Sequence, residues 1–191
     1  MDRPTLTTPR LLLRPFVLTD ARDAQRLAGA REIADGTLTI PHPYPDGLAE
    51  EWIELQQRLF ESRELINFAI ALRTGEVVGS IGLRMKKHGK AEIGYWIGVA
   101  HWGHGYATEA AAAVIDYGFR ELNLNRIEAA HFSGNPASGR VMIKNGMKHE
   151  GTARQAAKKW DEYRDLEWYS ILRSEWLAAK QTDEIGAAPV P

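Results

Sequence analysis

The hydrophobic pattern changes its period in the middle of the chain, and this change constrains the fold more than any other feature. Three consecutive segments have strand-like patterns, at Leu65–Leu72, Glu76–Met85 and Ala91–Val99. Turns that contain Gly75 and Gly89 separate them, and an alanine-rich segment typical of a helix follows at Ala107–Leu122. The pattern predicts a three-stranded antiparallel meander, followed by a helix that crosses over to a parallel strand.

The segments on either side of the meander complete a mixed sheet. Further strands are predicted at Arg10–Phe16, Arg126–Phe132, Lys148–Trp160 and Leu166–Leu172. Helices are predicted after an N-cap at Thr19 and over Leu48–Ser62, Pro136–Asn145 and Arg173–Lys180. The fold class is therefore α/β of the mixed α+β kind, with a central, mostly antiparallel, twisted sheet of about seven strands flanked by helices.

The chain is long enough for one substantial core and shows no linker. It has 191 residues, of which 44% are hydrophobic, so a second domain would be crowded. We expect a single domain over residues 1–180 and a frayed tail over residues 181–191. The N-terminus lacks the apolar segment of a signal peptide, and no apolar run approaches the ~20 residues of a membrane-spanning helix. The expected location is the cytoplasm, with no membrane partner.

Charge and cysteine content exclude several classes of function. Lys and Arg number 24 and Asp and Glu number 25, so the formal charge of −1 is not that of a general nucleic-acid binder. The one basic run, Arg84–Lys90, is interpreted as a solvated hairpin tip, with a phosphate-binding patch as the alternative. No cysteine is present, which excludes disulfides, thiolate zinc sites and a cysteine nucleophile. No metal site is predicted.

A glycine-bearing loop joins the last strand of the meander to the alanine-rich helix. Its residues Trp102–Thr108 read WGHGYAT, in which Gly103 and Gly105 let backbone N–H groups approach a bound anion closely. The first N–H groups of a helix lack partners and lie at the positive end of the helix dipole. A diphosphate would bind there without a lysine, and the sequence has no Lys or Arg between Lys90 and Arg120.

Two other phosphate-binding loops fit the sequence poorly. The P-loop pattern GxxxxGK[ST] is absent from the chain. A dinucleotide fingerprint would need Gly or Ala at Thr108, and Glu128 would be its ribose-binding acid, but hairpin strands precede the loop instead of a βαβ unit. Taken alone, the glycines would indicate only a tight turn.

The order of these segments resembles the GNAT acetyltransferase superfamily, and within it the branch of ribosomal-protein N-terminal acetyltransferases of the RimJ and RimL type. The resemblance runs from Arg10 to near Leu177 and includes the opening TPRLLLRPF, the loop HWGHGYATEA and the ending DEYRDLEWYSILRSEW. Asn135 and Ser138 begin a segment that follows the pattern N-x-x-S-x-R-V-x-x-K-x-G of this branch. Trp102 stands where the wider superfamily has Gln or Arg, which we interpret as a mark of the branch.

The resemblance implies that acetyl-CoA binds here as a cosubstrate. In such enzymes the strand that matches Ala91–Val99 separates from the one that matches Arg126–Phe132, and the pantothenate arm inserts between them. Gly94 and Gly98 suit a bulge or a close approach in the first of these strands. The resemblance assigns CoA contacts to Ile97, Val99, Trp102, Gly103, His104, Gly105, Tyr106, Ala107, Thr108, Asn135 and Ser138.

Acetylation of an amine needs an uncharged amine, a polarised thioester carbonyl and a proton for the leaving thiolate. Glu92 is the candidate base, acting through water, with a surface carboxylate as the alternative interpretation. Ser138 is the candidate proton donor, with a helix-capping hydroxyl as the alternative. The backbone N–H of Ile97 or Val99 would polarise the carbonyl, and Glu109 is expected to cap its helix. The remaining candidates are interpreted as surface, packing or acceptor-site residues: His101, His104, Tyr163 and Tyr169.

The acceptor is predicted to be the α-amine of a protein or peptide N-terminus. Its pKa near ~8 leaves it partly neutral at pH 7, whereas a lysine near ~10.4 costs about 3 kcal/mol more to deprotonate. A small amine such as an amino acid, polyamine or drug is the alternative acceptor, and a non-catalytic acyl-CoA-binding module is the alternative class. The loop 36–47 and the hairpin tip 161–165 would decide the acceptor, and an exposed sheet edge or the C-terminal hairpin could support a homodimer.

Overall fold

A computed structural model describes residues 3–186, and the side chains of residues 3–182. The strands are β1 Leu6–Thr7, β2 Leu11–Arg14, β3 Leu65–Leu72, β4 Val77–Lys86, β5 Lys90–Ile97, β6 Arg126–Phe132, β7 Lys148–Lys159 and β8 Glu162–Leu172. The helices are α1 Ala21–Ala28, α2 Arg31–Gly36, α3 Leu48–Glu61, α4 Tyr106–Arg120, α5 Pro136–Lys144 and α6 Arg173–Gly186. One eight-stranded sheet has the order β1-β2-β3-β4-β5-β6-β8-β7. Its neighbours are antiparallel except β5 and β6, which are parallel.

The mixed, mostly antiparallel sheet confirms the predicted fold class, and the sheet has one strand more than expected. The additional strand is β1, which pairs with β2 at one edge of the sheet. The two strands are short because Pro15 follows β2 and cannot donate to a ladder. The meander β3–β4–β5, the crossover helix α4 and strand β6 lie where the sequence predicts them. Gly146 adopts a φ of 76° after α5, as expected of a glycine that ends a helix.

The predicted N-cap at Thr19 is wrong. Thr19 lies within a short 3-10 turn, and α1 begins after Asp20. The Asp20 carboxylate accepts hydrogen bonds from Arg14 Nη1 at 2.7 Å and from the Val17 N–H at 2.9 Å. Burial alone would raise the pKa of Asp20, but these hydrogen bonds and the charge of Arg14 hold the pKa below its usual value. The ion pair with Arg14 and the local contact with the Val17 N–H thus make Asp20, and not Thr19, the residue that fixes the entry to α1.

Helix α3 was predicted over nearly the observed residues, but its buried face is rotated from the predicted stripe. The sequence pattern places Leu48, Trp52, Leu55 and Leu59 on one apolar face. In the structure Leu55 is 36% exposed, and the helix buries its neighbouring positions instead. The buried residues of α3 are Ala49, Ile53 and Gln56. Ala49 and Ile53 pack in one cluster with residues of α1 and β3. The helix is therefore amphipathic as predicted, but its buried face is centred one position further along the chain.

The C-terminal hairpin is longer than predicted. Strand β8 begins at Glu162, so most of the predicted tip 161–165 is strand and the turn lies at Trp160 and Asp161. Helix α6 was predicted to end at Lys180 but continues to Gly186, and the tail over residues 181–191 remains a prediction. Residues 187–191 lie outside the described residues. The single-domain boundary at residue 180 remains a prediction.

Two layers of packing hold the sheet. Helix α4 covers one face, where Val114 and Phe119 are fully buried against β-strand residues such as Leu83 and Ile127. Fully burying a side chain of this size contributes about 1.5–3 kcal/mol. Helices α1 and α3 cover β3 and β4 on the opposite face through a smaller cluster around Phe16. We call the α4 side the back face and the α1–α3 side the front face.

A polar network fixes the end of the sheet where β5 and β6 pair. Arg126 donates to Glu150 Oε1 at 2.7 Å, to Ser170 Oγ at 2.9 Å and to Glu128 at 3.1 Å. The hydrogen bond from Arg126, and after it the one that Ser170 Oγ donates to Glu150 Oε1 at 2.7 Å, lower the pKa of Glu150 to about 2. Strands β6, β7 and β8 are thereby tied together at their common end.

No helix within the described residues is long and apolar enough to cross a membrane. Over the same residues, no group of three or more His, Cys, Asp or Glu side chains is arranged to hold a metal ion.

Candidate acetyl-donor and acceptor site

Strands β5 and β6 separate soon after they begin. They share only three residue pairs, of which the last is Glu92 with Glu128. Both strands then continue, to Ile97 and Phe132, without pairing to each other. The gap opens into a cavity of about 1680 Å³ that reaches both faces of the sheet. The separation expected from the resemblance is therefore present in the structure.

The exposed edge of β5 carries backbone groups without a strand partner. The Gly98 N–H donates to Val78 O at 2.9 Å, so the even-numbered residues of β5 point their backbone groups toward β4. By alternation, the N–H and C=O groups of Ile93, Tyr95 and Ile97 point into the gap. An extended ligand with its own amide groups could pair with such an edge.

Trp102 is tied to that edge through its side chain. Its indole Nε1–H donates to Ile97 O at 2.6 Å. The Ile97 N–H takes no part in this bond and remains directed into the gap. The indole is nevertheless 50% exposed and lines the cavity. Trp102 therefore fixes the point where the strand passes into the loop, a contact that sequence reasoning did not predict.

The expected bulge in β5 is wrong. The β4–β5 register runs without a shift past the pair Gly82 and Gly94. A Cβ at Gly94 would meet nothing within 4 Å, so this glycine keeps the cavity open. A Cβ at Gly98 would lie 2.5 Å from the Leu27 side chain, so Gly98 allows α1 to pack against the end of the strand.

The loop after β5 presents a run of free amides at the start of α4. A 3-10 turn over Val99–His101 leads into the loop, in which Gly103 and Gly105 have φ values of 79° and 77°. The backbone N–H groups from Gly103 to Thr108 donate no hydrogen bond to any of the described residues. The first hydrogen bond of the helix is from the Glu109 N–H to Gly105 O, at 3.1 Å.

This arrangement fits an anionic diphosphate. Free N–H groups and the positive end of a 15-residue helix point at the same space. A side chain in place of Gly105 would be strained, because a left-handed conformation costs an L-residue about 1–2 kcal/mol. The amides of Gly103–Thr108 and the open edge of β5 thus suit a diphosphate joined to an extended amide-bearing arm.

The predicted capping role of Glu109 is wrong. Its Oε1 accepts hydrogen bonds from Thr8 Oγ1 at 2.7 Å and from the Arg10 N–H at 2.9 Å. Its Oε2 accepts from Arg10 Nε at 2.6 Å. Partial burial alone would raise the pKa of Glu109, but these hydrogen bonds outweigh it and lower the pKa. The carboxylate joins the N-terminal segment to α4, a contact across about a hundred residues of sequence for which no local signal exists.

Ser138 and Asn135 lie on the other side of the gap, at the start of α5. Asn135 is the N-cap of this helix, and its side chain accepts from the Ser138 N–H at 3.3 Å. The Ser138 hydroxyl oxygen lies 2.9 Å from the hydroxyl oxygen of Tyr95, which reaches across from β5. Tyr95 also donates to Ser138 O at 3.0 Å. Burial raises the pKa of Tyr95 to about 12, partly offset by the hydrogen bond with Ser138.

Sequence reasoning missed Tyr95. The residue lies within the segment AEIGYWIGV that carries the resemblance, but an aromatic residue in a strand is usually explained by packing. Only the parallel placement of β5 and β6 brings its hydroxyl to the start of α5.

Glu92 lies at the point where β5 and β6 separate. Its carboxylate is 2.6 Å from Lys86 Nζ and remains 34% exposed. It lines the cavity on the front face, opposite Arg84 of β4 and beside Glu128 of β6. The basic run is therefore more than a solvated hairpin tip, since its lysine at position 86 pairs with the candidate base.

The loop over residues 37–47 and the β7–β8 hairpin meet on the front face. Lys159 is only 4% exposed, and its Nζ donates to Ile40 O at 2.6 Å and to Leu38 O at 3.4 Å. Arg164 Nη1 donates to Asp35 O at 3.1 Å. Desolvation lowers the pKa of Lys159. Both segments that were expected to define the acceptor pocket line the same cavity and are connected to each other.

Most of the predicted cofactor contacts line this one cavity. They are Ile97, Trp102, Gly103, Gly105, Tyr106, Ala107, Thr108, Asn135 and Ser138. Val99 and His104 lie outside the lining. The His104 ring stacks on Tyr106 with centroids 5.4 Å apart, and His101 lies 3.6 Å from Glu76. Tyr169 packs on His131 at 5.6 Å, and Tyr163 is 65% exposed at the cavity rim.

Comparisons with known proteins agree on one family. Residues 10–148 match the model of the family described as "Acetyltransferase (GNAT) domain". The uncharacterized N-acetyltransferase p20 of Bacillus licheniformis is 35% identical over 176 residues, which cover 90% of this chain and 98% of p20. The putative ribosomal N-acetyltransferase YdaF of Bacillus subtilis is 38% identical over 111 residues, 57% of this chain and 61% of YdaF. Mycobacterium smegmatis RimJ, solved in complex with CoA-disulfide, has a TM-score of 0.80 at 23% identity, over 94% of this chain and 98% of RimJ, and so shares the fold.

Proposed function

Because the chain belongs to the GNAT acetyltransferase family and is an acetyl-CoA-dependent N-acetyltransferase, we propose that its acceptor is the α-amine of a protein or peptide N-terminus. The observation that carries the donor site is the gap between β5 and β6, which ends on the free amides of Gly103–Thr108. The similarity to the putative ribosomal N-acetyltransferase YdaF supports the choice of acceptor.

The proposed donor site divides the work between the loop and the strand edge. The N–H groups from Gly103 to Thr108 bind the diphosphate, and the edge of β5 pairs with the pantothenate arm. Asn135 and Ser138 contact the arm near its sulfur from the start of α5. When bound, acetyl-CoA supplies an activated thioester carbonyl, and the Ile97 N–H is directed to polarise it. Val99 does not line the cavity, so its N–H is less suitable than that of Ile97 for polarising the carbonyl.

The chain must also move two protons. Glu92 accepts the proton of the attacking amine, through a water molecule, from its place where the strands separate. Ser138 donates a proton to the departing sulfur, Tyr95 replaces that proton through the hydroxyl contact between them, and Tyr95 regains a proton from solvent. The carbon–nitrogen bond forms, the carbon–sulfur bond breaks, and Glu92 releases the amine proton to solvent, so both groups return to their starting states.

The weak base favours an α-amine over a lysine side chain. Carboxylates are weaker bases than amines, and the Glu92 carboxylate is paired with Lys86 and one-third exposed. An α-amine with a pKa near ~8 is already partly neutral at pH 7 and needs little help. A side-chain amine near ~10.4 would need about 3 kcal/mol more from the same carboxylate.

One observation favours the alternative of a small amine. Lys159 and Arg164 bind the backbone around residues 35–40, so the hairpin is joined to that segment beside the cavity that both line. Fixed segments at the acceptor end suit a compact amine better than an extended peptide. Acetylation of small amines therefore remains the second candidate function.

The test measures thiol release from acetyl-CoA with a panel of N-terminal peptides, amino acids, polyamines and lysine side-chain peptides. We expect the highest kcat/KM with a peptide α-amine. Higher values with a small amine would replace the acceptor and leave the donor site in place. Binding of CoA by calorimetry without thiol release for any amine would instead indicate a non-catalytic module.

A further inference from the structure

We propose that Arg10 is a positioning residue for the diphosphate of the donor, because it neutralises Glu109 and holds the loop whose amides bind the anion. The inference rests on the proposed donor site. It concerns a residue that lies about ninety positions before the loop in sequence and joins it only through the fold.

Arg10 contacts the loop and the helix at the same time. Its Nε donates to Glu109 Oε2 at 2.6 Å, and its Nη1 donates to His104 O at 2.9 Å. Its Nη2 lies 3.5 Å from where a Cβ would stand at Gly105. The guanidinium also lies over the Tyr106 ring, 5.0 Å from its centroid. These contacts fix both ends of the Gly105 turn from which the free amides project.

The charge of Arg10 matters because Glu109 lies within the first turns of α4. Its backbone N–H makes the first hydrogen bond of the helix, to Gly105 O, so Glu109 directly follows the free amides in the chain. A helix N-terminus carries roughly half a positive charge, which one unpaired carboxylate would cancel for an incoming anion. The Glu109 side chain is only 15% exposed, so solvent would screen that charge poorly. Arg10 removes the conflict.

The experiment compares four full-length proteins: the wild type, Arg10→Gln, Glu109→Gln and the double variant. Calorimetry measures their binding of CoA, of dephospho-CoA, which keeps the diphosphate, and of pantetheine, which lacks it. We expect Arg10→Gln to weaken both diphosphate ligands about tenfold, a loss of one charge-assisted interaction, and to leave pantetheine within about twofold. The double variant should recover the part of the loss that the stranded carboxylate causes and keep the part that the missing hydrogen bond to His104 O causes.

The inference would be overturned by unchanged CoA binding by Arg10→Gln, by an equal loss for pantetheine, or by a double variant as weak as the single one. A loss for CoA but not for dephospho-CoA would also overturn it, by placing Arg10 at the other phosphate. Arg26→Gln breaks an exposed pair with Asp23 and is the matched control for removing an arginine. If the wild type bound neither CoA nor dephospho-CoA, the proposed donor site itself would be wrong, which the other outcomes do not imply.

Discussion

The hydroxyl oxygens of Tyr95 and Ser138 lie 2.9 Å apart across the gap between β5 and α5. Tyr95 also donates to Ser138 O at 3.0 Å, and a carbonyl oxygen can only accept. In this arrangement the Ser138 hydroxyl donates to Tyr95. Turning the Tyr95 O–H toward Ser138 Oγ would free the serine proton for a departing sulfur, so the pair has two hydrogen-bonding states that differ by two hydroxyl rotations.

Removing the serine hydroxyl should slow the chemical step. We expect Ser138→Ala to lower kcat about 10²-fold with little change in the KM for acetyl-CoA, because proton donation acts in the transition state. Tyr95→Phe should cause a smaller loss, and the double variant should match Ser138→Ala, since the two hydroxyls act as a unit. Steady-state thiol release measures all three.

A control tyrosine, and not the pH profile alone, separates this role from a packing role. With a pKa of about 12, Tyr95 keeps its proton between pH 6 and 9, so Tyr95→Phe should lower kcat evenly over that range. Tyr117→Phe is the control, because its ring packs edge-on against Phe68 at 6.2 Å on the back face. Equal losses from the two tyrosine variants would remove Tyr95 from the proton path.

Replacing the candidate base, Glu92, should lower activity most with acceptor amines of high pKa. We expect Glu92→Gln to lower kcat/KM about 10²-fold with a lysine side-chain amine and much less with a peptide α-amine. The loss with the α-amine should shrink from pH 6 to pH 9 as that amine becomes neutral without help. Glu128→Gln removes the neighbouring carboxylate and controls for a general change of charge. Full activity of Glu92→Gln with every acceptor over this pH range would show that another group is the base.

Replacing the buried Lys159 should weaken binding of the acceptor amine and not of acetyl-CoA. Lys159→Met removes the hydrogen bonds to Ile40 O and Leu38 O, each a charged interaction worth about 1.5–3 kcal/mol. We expect a higher acceptor KM, an unchanged KM for acetyl-CoA and a lower unfolding temperature. The adjacent Lys158→Met is the matched control, because Lys158 is exposed and pairs only loosely with Asp161 at 3.7 Å. An increase in the KM for acetyl-CoA alone would contradict the placement of this loop at the acceptor end.

The Arg126 network predicts a loss of stability in acid. The pKa of Glu150 falls from 4.5 to about 2 in the folded chain, so its stabilising contribution is complete above the unfolded value. That contribution is lost as the pH falls through the window from 4.5 to about 2. We expect urea unfolding of Glu150→Gln to show a flatter decline of stability over this window. Glu54→Gln changes an exposed carboxyl on α3 and should keep the wild-type slope.

The fold could be predicted because its determinants are local. Glycine turns after Leu72 and Lys87, alternating apolar residues and an alanine-rich segment specify the meander and the crossover helix. The loop of Gly103 and Gly105 could be predicted for the same reason, since both the strained turn and the helix start are encoded within a few residues. Strand β1 was not predicted, because its two residues are too few to show an alternating pattern.

The rest of the site depends on contacts between distant segments. Tyr95 meets Ser138 only because β5 and β6 are parallel and then separate, and Arg10 meets Glu109 only because β2 lies near α4. Lys159 would be expected on the surface, and nothing around it in sequence indicates two backbone carbonyls from the 37–47 loop. These roles depend on contacts between residues that are distant in sequence, and residue type alone does not reveal such contacts.

The short β5–β6 ladder has a consequence for the lifetime of the protein. Only three residue pairs join β5 to β6, so the two halves of the sheet stabilise each other weakly at this position. A donor seated there, at a hundred times its dissociation constant, would stabilise the folded chain by about 2.7 kcal/mol. Resistance to proteolysis in vitro should then rise with the concentration of acetyl-CoA.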